Sequence, residues 1–161
     1  CSVVSEGGQE ATGITRAASR ERNELSTDDT TRPLISLRLR DGADATVFPV
    51  AAQILCTSNS DSVWELRLGT SIVTGGATAH WIPHRSAEHD TTRDGTASGG
   101  TIVAAGYLNK TADITTGDLS GLLPLGRLLD GTAQEYVLTV RNATAAVTEE
   151  YLASLKWTEL A

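Results

Sequence analysis

Four side chains able to bind a metal or move a proton crowd into eleven residues: His80, His84, His89 and Asp90. Imidazole nitrogen and carboxylate oxygen are the donors that zinc and related ions take. Spacing argues against a shared ion. His80 and His84 are four apart, as on a zinc-protease helix, but Trp81-Ile82-Pro83 between them favours extended chain. There such residues stand ~13 Å apart at ~3.3 Å per residue. Only a sharp bend at Pro83 would bring both to one ion, so ordinary strand-end histidines are expected, with no metal and no cofactor.

Nucleophilic catalysis needs a base and an orienting acid beside the nucleophile, and no Gly-x-Ser-x-Gly elbow or comparable local signature is present. The acid pairs Asp28-Asp29 and Glu149-Glu150 fall in a polar segment and at a strand edge, where solvated charge is the expectation. The Gly-Gly pairs at 7–8, 75–76 and 99–100 lack a P-loop lysine and read as turns. No enzymatic activity is expected. For binding, the candidates are Trp81 and Tyr107, whose rings could stack on a sugar at a sandwich rim beside the polar loop Ser86 to Gly100; core packing is the competing reading. Asn109 and Asn142 open glycosylation-type triplets, which matter only in a secreted eukaryotic protein.

The elements that position these residues read as strands. Ile35, Leu37 and Leu39 alternate with Ser36, Arg38 and Arg40, the mark of a half-buried strand. Asp41-Gly42 then turns into a more apolar run, Thr46 to Thr57, as though into a hairpin, with Pro49 suggesting a bulge or an edge. Trp64, Leu66 and Leu68 repeat the alternation and make Trp64 core. A short strand is expected near Ala77 to Ile82, and Thr101 to Tyr107 reads as a strand buried on both faces. Leucines between Asp118 and Gly131, broken by Gly121, Pro124 and Gly126, suggest a packed loop with a helical turn. Two closing strands present Tyr136, Leu138 and Val140, then Tyr151, Ala153, Leu155 and Trp157. Short strands without αβ alternation predict an all-β, two-sheet antiparallel sandwich of jelly-roll or Greek-key kind, a closed barrel being the alternative.

At 161 residues the chain suits one domain, expected over residues 33–161. Residues 1–32 hold no aromatic residue and mix six acids with four arginines, which reads as a flexible arm. Any tether to a larger body is expected there, and deletion up to Thr31 is expected to leave the sandwich intact. Net charge −7 without a basic run argues against nucleic acid, and no apolar stretch approaches the ~18 residues of a membrane-inserted span. The chain opens at Cys1, which suits a processed or partial product or, alternatively, a lipid-bearing bacterial surface protein. Cys56 sits in an apolar run as an expected buried thiol.

Pro33-Leu-Ile-Ser-Leu-Arg-Leu, Ala45-Thr-Val-Phe-Pro-Val and Trp64-Glu-Leu together resemble the opening of β-sandwich domains in virion structural proteins of tailed bacteriophages. Gly99-Gly-Thr-Ile-Val-Ala-Ala-Gly-Tyr, Asp118-Leu-Ser, Asp130-Gly-Thr and the closing Ala153-Ser-Leu-Lys-Trp-Thr-Glu-Leu continue the likeness. It spans most of residues 33–160 and rests on strand and turn patterns. The resemblance implies a non-enzymatic particle component of decoration, neck or fibre type, located in the virion and anchored through the arm. Its partners would be other virion proteins and further copies of itself, a trimer among the options. A receptor- or glycan-binding module is the alternative function.

Overall fold

The computed structural model describes residues 13–27, 30–43, 45–57, 61–73, 78–108, 115–119, 121–143 and 147–160. Among them every regular element is a strand. Sheet A runs β1 (Ile14–Thr27), β12 (Val147–Leu160), β3 (Thr46–Cys56), β10 (Thr115–Asp118). Sheet B runs β6 (Ile82–Pro83), β7 (Ala87–Asp90), β2 (Arg32–Leu39), β11 (Glu135–Asn142), β4 (Ser62–Leu68), β9 (Thr101–Leu108). A two-stranded ribbon, β5 (Ser71–Val73) with β8 (Thr96–Ser98), completes an antiparallel sandwich.

Alternation produces the core. Ile35, Leu37 and Leu39 of β2 and Tyr136, Leu138 and Val140 of β11 meet Val47, Ile54, Tyr151, Leu155 and Trp157 of sheet A, all buried. Each large apolar side chain so enclosed contributes about 1.5–3 kcal/mol. Trp64 is core, as its alternation implies. Pro49 marks a bulge: the β12–β3 register slips between Lys156 and Trp157, where Trp157 faces Pro49. The outer side of sheet B is covered too, since Ser36, Val137 and Thr139 are fully buried and β8 lies against β2. Ala97 N–H ties this cover to Thr31 O at 2.9 Å.

Several expectations are corrected. Ile14–Thr27 is no arm: β1 pairs with β12 from Ile14 opposite Glu159 to Thr27 opposite Val147, while residues 1–12 lie outside the described residues. The inward positions of β1 are Arg16, Ala18, Arg20 and Arg22, so it docks through guanidinium groups. Arg20 donates to Arg93 O at 2.8 Å, Leu34 O at 3.1 Å and Pro33 O at 3.4 Å, and Arg22 to Pro33 O at 2.6 Å. Burial, with Arg20's charge adding to it, brings the Arg22 pKa down to about 10.

The Asp41-Gly42 turn, with Gly42 at φ +73°, makes no hairpin, because β2 belongs to sheet B and β3 to sheet A. It is a corner between layers. β9 is the outermost strand of sheet B and largely exposed rather than buried on both faces. The short strand expected around Ala77 to Ile82 is reduced to β6, with residues 74–77 outside the described set. In the leucine-rich loop Leu119 and Leu125 are buried, but Leu123, Leu128 and Leu129 face solvent and no helical turn forms among the described residues.

Candidate functional site

The densest polar cluster lies at the β6–β7 edge of sheet B. After Pro83 the chain reverses, His84 N–H bonding Ala87 O at 2.8 Å, and Ile82 pairs with His89. The reversal brings two histidines edge to edge. His84 Nε2 and His89 Nδ1 are 2.8 Å apart, with ring centroids at 4.9 Å and planes 17° from parallel. Both rings rest on Trp157, His84 edge-on at 5.2 Å. Behind them Glu159 is buried and accepts Trp157 Nε1–H at 3.2 Å and Ser86 N–H at 2.8 Å, with Arg16 Nε 3.9 Å away.

Burial depresses both imidazole pKa values. For His84, Glu159 pulls upward and Arg16 downward; for His89, His84 adds to the depression and Asp90 opposes it. A bond between two imidazoles needs one N–H and one lone pair, which two neutral rings supply and two imidazolium ions cannot. His80 does not join them. Its backbone N–H donates to Asp90 Oδ2 at 2.9 Å, and Asp90 Oδ1 accepts Thr92 N–H and Oγ1–H, each at 2.7 Å. Among the described residues no three His, Cys, Asp or Glu side chains are placed to hold a metal ion.

Trp81 and Tyr107 are not brought together. Trp81 immediately precedes β6 and Tyr107 lies in β9, at opposite edges of the six-stranded sheet. Five steps of ~4.8 Å put them about 24 Å apart. Trp81 is half-buried, with the guanidinium carbons of Arg38 and Arg93 at 3.9 and 4.7 Å from its ring centroid. Those cations are held by carboxylates: Arg38 Nε to Glu88 at 2.6 Å, Arg93 to Glu135 at 2.8 Å and to Asp90 at 3.3 Å. A sugar would have to displace a guanidinium from the indole. Tyr107 is 82% exposed.

A second polar cluster is one that the sequence reading missed. Tyr151 OH donates to Asn142 Oδ1 at 2.6 Å, and Ser62 Oγ is 2.7 Å from the same hydroxyl and 3.0 Å from Asn142 Oδ1, all three residues fully buried. Burial pushes the Tyr151 phenol well above its ordinary range. Beside it Cys56, buried as expected, points its thiol at Glu149 Oε2 at 3.7 Å. Glu149, expected in solvent, is only 2% exposed. The detectable signal was parity: Ser62 precedes Trp64 and Leu66, and Asn142 follows Leu138 and Val140, on core-facing positions. Asn142 is therefore closed to glycosylation in the folded chain; Asn109 and Cys1 lie outside the described residues.

The outer face of sheet A carries a shallow depression of about 290 Å³ lined by Ser19, Gln53, Leu55, Leu152 and Ser154 among others, with no charged side chain in its wall. Neither it nor the two clusters pairs an accessible nucleophile with a base. Compared with protein-family models, curated proteins and solved structures, the chain matches none.

Proposed function

We propose that the chain is a non-enzymatic structural component of a phage particle, of decoration, neck or fibre type, and works by packing against other particle proteins and copies of itself. The observation that carries this reading is where the polar groups are spent. The histidines bond each other, Asp90 accepts from His80 and Thr92, and Trp81 is covered by two cations that carboxylates hold. Such internal saturation suits a building block and leaves little for a substrate. The strand and turn likeness to tailed-phage sandwich domains points the same way. Because Ile14–Thr27 is strand, attachment through that segment is dropped from the proposal.

The test is antibody labelling of purified particles by electron microscopy. Regular label at one station on the particle supports the role; label absent from particles while free chain accumulates in the host overturns it. A glycan- or receptor-binding module is the second reading, favoured by the exposed ring of Tyr107 alone. Saturable glycan-array binding that Tyr107→Ala abolishes would select it instead.

A further inference from the structure

An exposed leucine forgoes the stabilisation that burial brings, and three occur in one loop: Leu123, Leu128 and Leu129 are 75%, 51% and 110% exposed. The loop is not slack there. Leu128 N–H donates to Thr132 O at 2.8 Å and Gly131 N–H to Leu128 O at 2.9 Å, with Gly131 at φ +87°, so the tip is a closed hairpin turn. Asp130 Oδ1 accepts Thr132 N–H at 2.9 Å, and Arg127 donates to Gly131 O at 3.1 Å. Leu128 and Leu129 are thus held out on a fixed turn, with little left to order on binding. A complementary surface lies elsewhere on the same chain. The depression of about 290 Å³ on the outer face of sheet A is lined by Leu55 and Leu152 with Ser19, Gln53 and Ser154, and no charged side chain enters its wall.

We propose that the Leu128–Leu129 tip of one copy of this chain seats in the sheet A depression of a second copy. The tip does not fill its own depression. Its loop is anchored where Leu125 N–H bonds Val47 O at 2.8 Å, which is ~20 Å along β3 from Gln53, and Leu129 is fully exposed. Between copies the fit is one of size and charge. The depression has room for a pair of leucine side chains, and its wall holds no charge that their arrival would strip of water. Exposed Lys156 lies two residues beyond Ser154 on the same face of β12, within reach of exposed Asp130 beside the seated tip. Because the two partners use different surfaces, each pair keeps one free tip and one free depression, and copies add head to tail into a ring or a filament. One such contact is small and therefore weak, but an assembly repeats it.

The inference deepens the structural role by naming one partner, and its test needs no particle. Sedimentation at rising concentration compares the unsubstituted chain with Leu129→Asp, which spoils the tip, and Ser19→Tyr, which fills the depression. Both positions are exposed, and circular dichroism checks folding. The proposal expects the unsubstituted chain to associate and either substitution to weaken association about tenfold or more, the worth of one leucine withdrawn from water. Mixing the variants separates this contact from any other. Leu129→Asp keeps its depression and Ser19→Tyr keeps its tip, so together they should form one-to-one dimers that grow no further, while neither associates alone. Should Ser19→Tyr misfold, Gln53→Lys, a charge in the same wall, replaces it. An unsubstituted chain that is monomeric at the highest soluble concentration, association that ignores both substitutions, or a mixture that stays monomeric overturns the proposal. A chain that associates this way but is missing from particles would sink the proposed function and leave the contact standing.

Discussion

Arg20→Ala tests whether β1 is part of the fold. The Arg20 guanidinium reaches from sheet A to backbone carbonyls of Leu34 at 3.1 Å and Arg93 at 2.8 Å, plus a longer contact to Pro33 at 3.4 Å and an ion pair to Asp94 at 2.7 Å. The Asp94 carboxylate is 61% exposed, so solvent reduces that pair to at most about 1 kcal/mol. The two shorter carbonyl bonds are charge-assisted, at about 1.5–3 kcal/mol each, and water entering the vacated space recovers part. The net loss should be about 2–4 kcal/mol. For a chain of this length that lowers Tm by roughly 5–15 °C in differential scanning calorimetry. Arg20→Lys should recover about half, since an ammonium cannot reproduce the planar fork. Glu21→Ala, on the outer face of the same strand, should stay within about 0.5 kcal/mol. If Arg20→Ala melts within a degree of the parent, β1 is not docked on sheet B through this guanidinium, and the account of how the strand is held is wrong.

Three further outcomes follow from the geometry. Gly106→Ala would overlap Trp64 Nε1 and bring a methyl to 2.8 Å from Trp64 Cε2, costing about 1–3 kcal/mol by urea denaturation with near-ultraviolet circular dichroism reporting the displaced indole. Tyr151→Phe removes the hydroxyl that bonds both Asn142 Oδ1 and Ser62 Oγ and leaves only the Ser62–Asn142 bond of the buried trio, so the urea midpoint should fall by the equivalent of about 1–2 kcal/mol at unchanged m value. The histidine pair sets a pH dependence: its folded pKa values lie below the ordinary 6.5, so the unfolded chain binds more protons. The pair's stabilisation is therefore whole above pH 6.5 and is lost as pH falls through the folded values. Chemical denaturation from pH 7.5 to 5 should show this slope, and His84→Gln should flatten it.

How much of this was legible follows from which faces were apolar. β2, β4, β11 and β12 were readable because Ile35/Leu37/Leu39, Trp64/Leu66, Tyr136/Leu138/Val140 and Tyr151/Leu155/Trp157 alternate without interruption. Parity tells which side is buried but not which strand lies alongside, and so the Asp41-Gly42 corner passed for a hairpin turn. β1 was hidden because arginine occupies the inward positions where a strand normally shows Val or Leu. The carbonyls of Pro33, Leu34 and Arg93 and the carboxylates of Asp94 and Glu159, distant in sequence, make those cations acceptable there. β9 misled in the opposite sense: its lack of charge looked like burial, yet it is an edge. The histidines stand out as a group in the sequence, but the turn at 84–87 that joins His84 to His89 through their ring nitrogens and leaves His80 aside is a matter of local backbone that spacing does not encode.

The central claim, that this sandwich is a building block of a phage particle, is tested most directly by electron cryomicroscopy of intact purified particles. The account predicts repeated density, at one station on the particle, that accepts the two sheets with β12 between β1 and β3 and β9 at the rim. A complete map in which every protein density is assigned and none accepts this sandwich would contradict it.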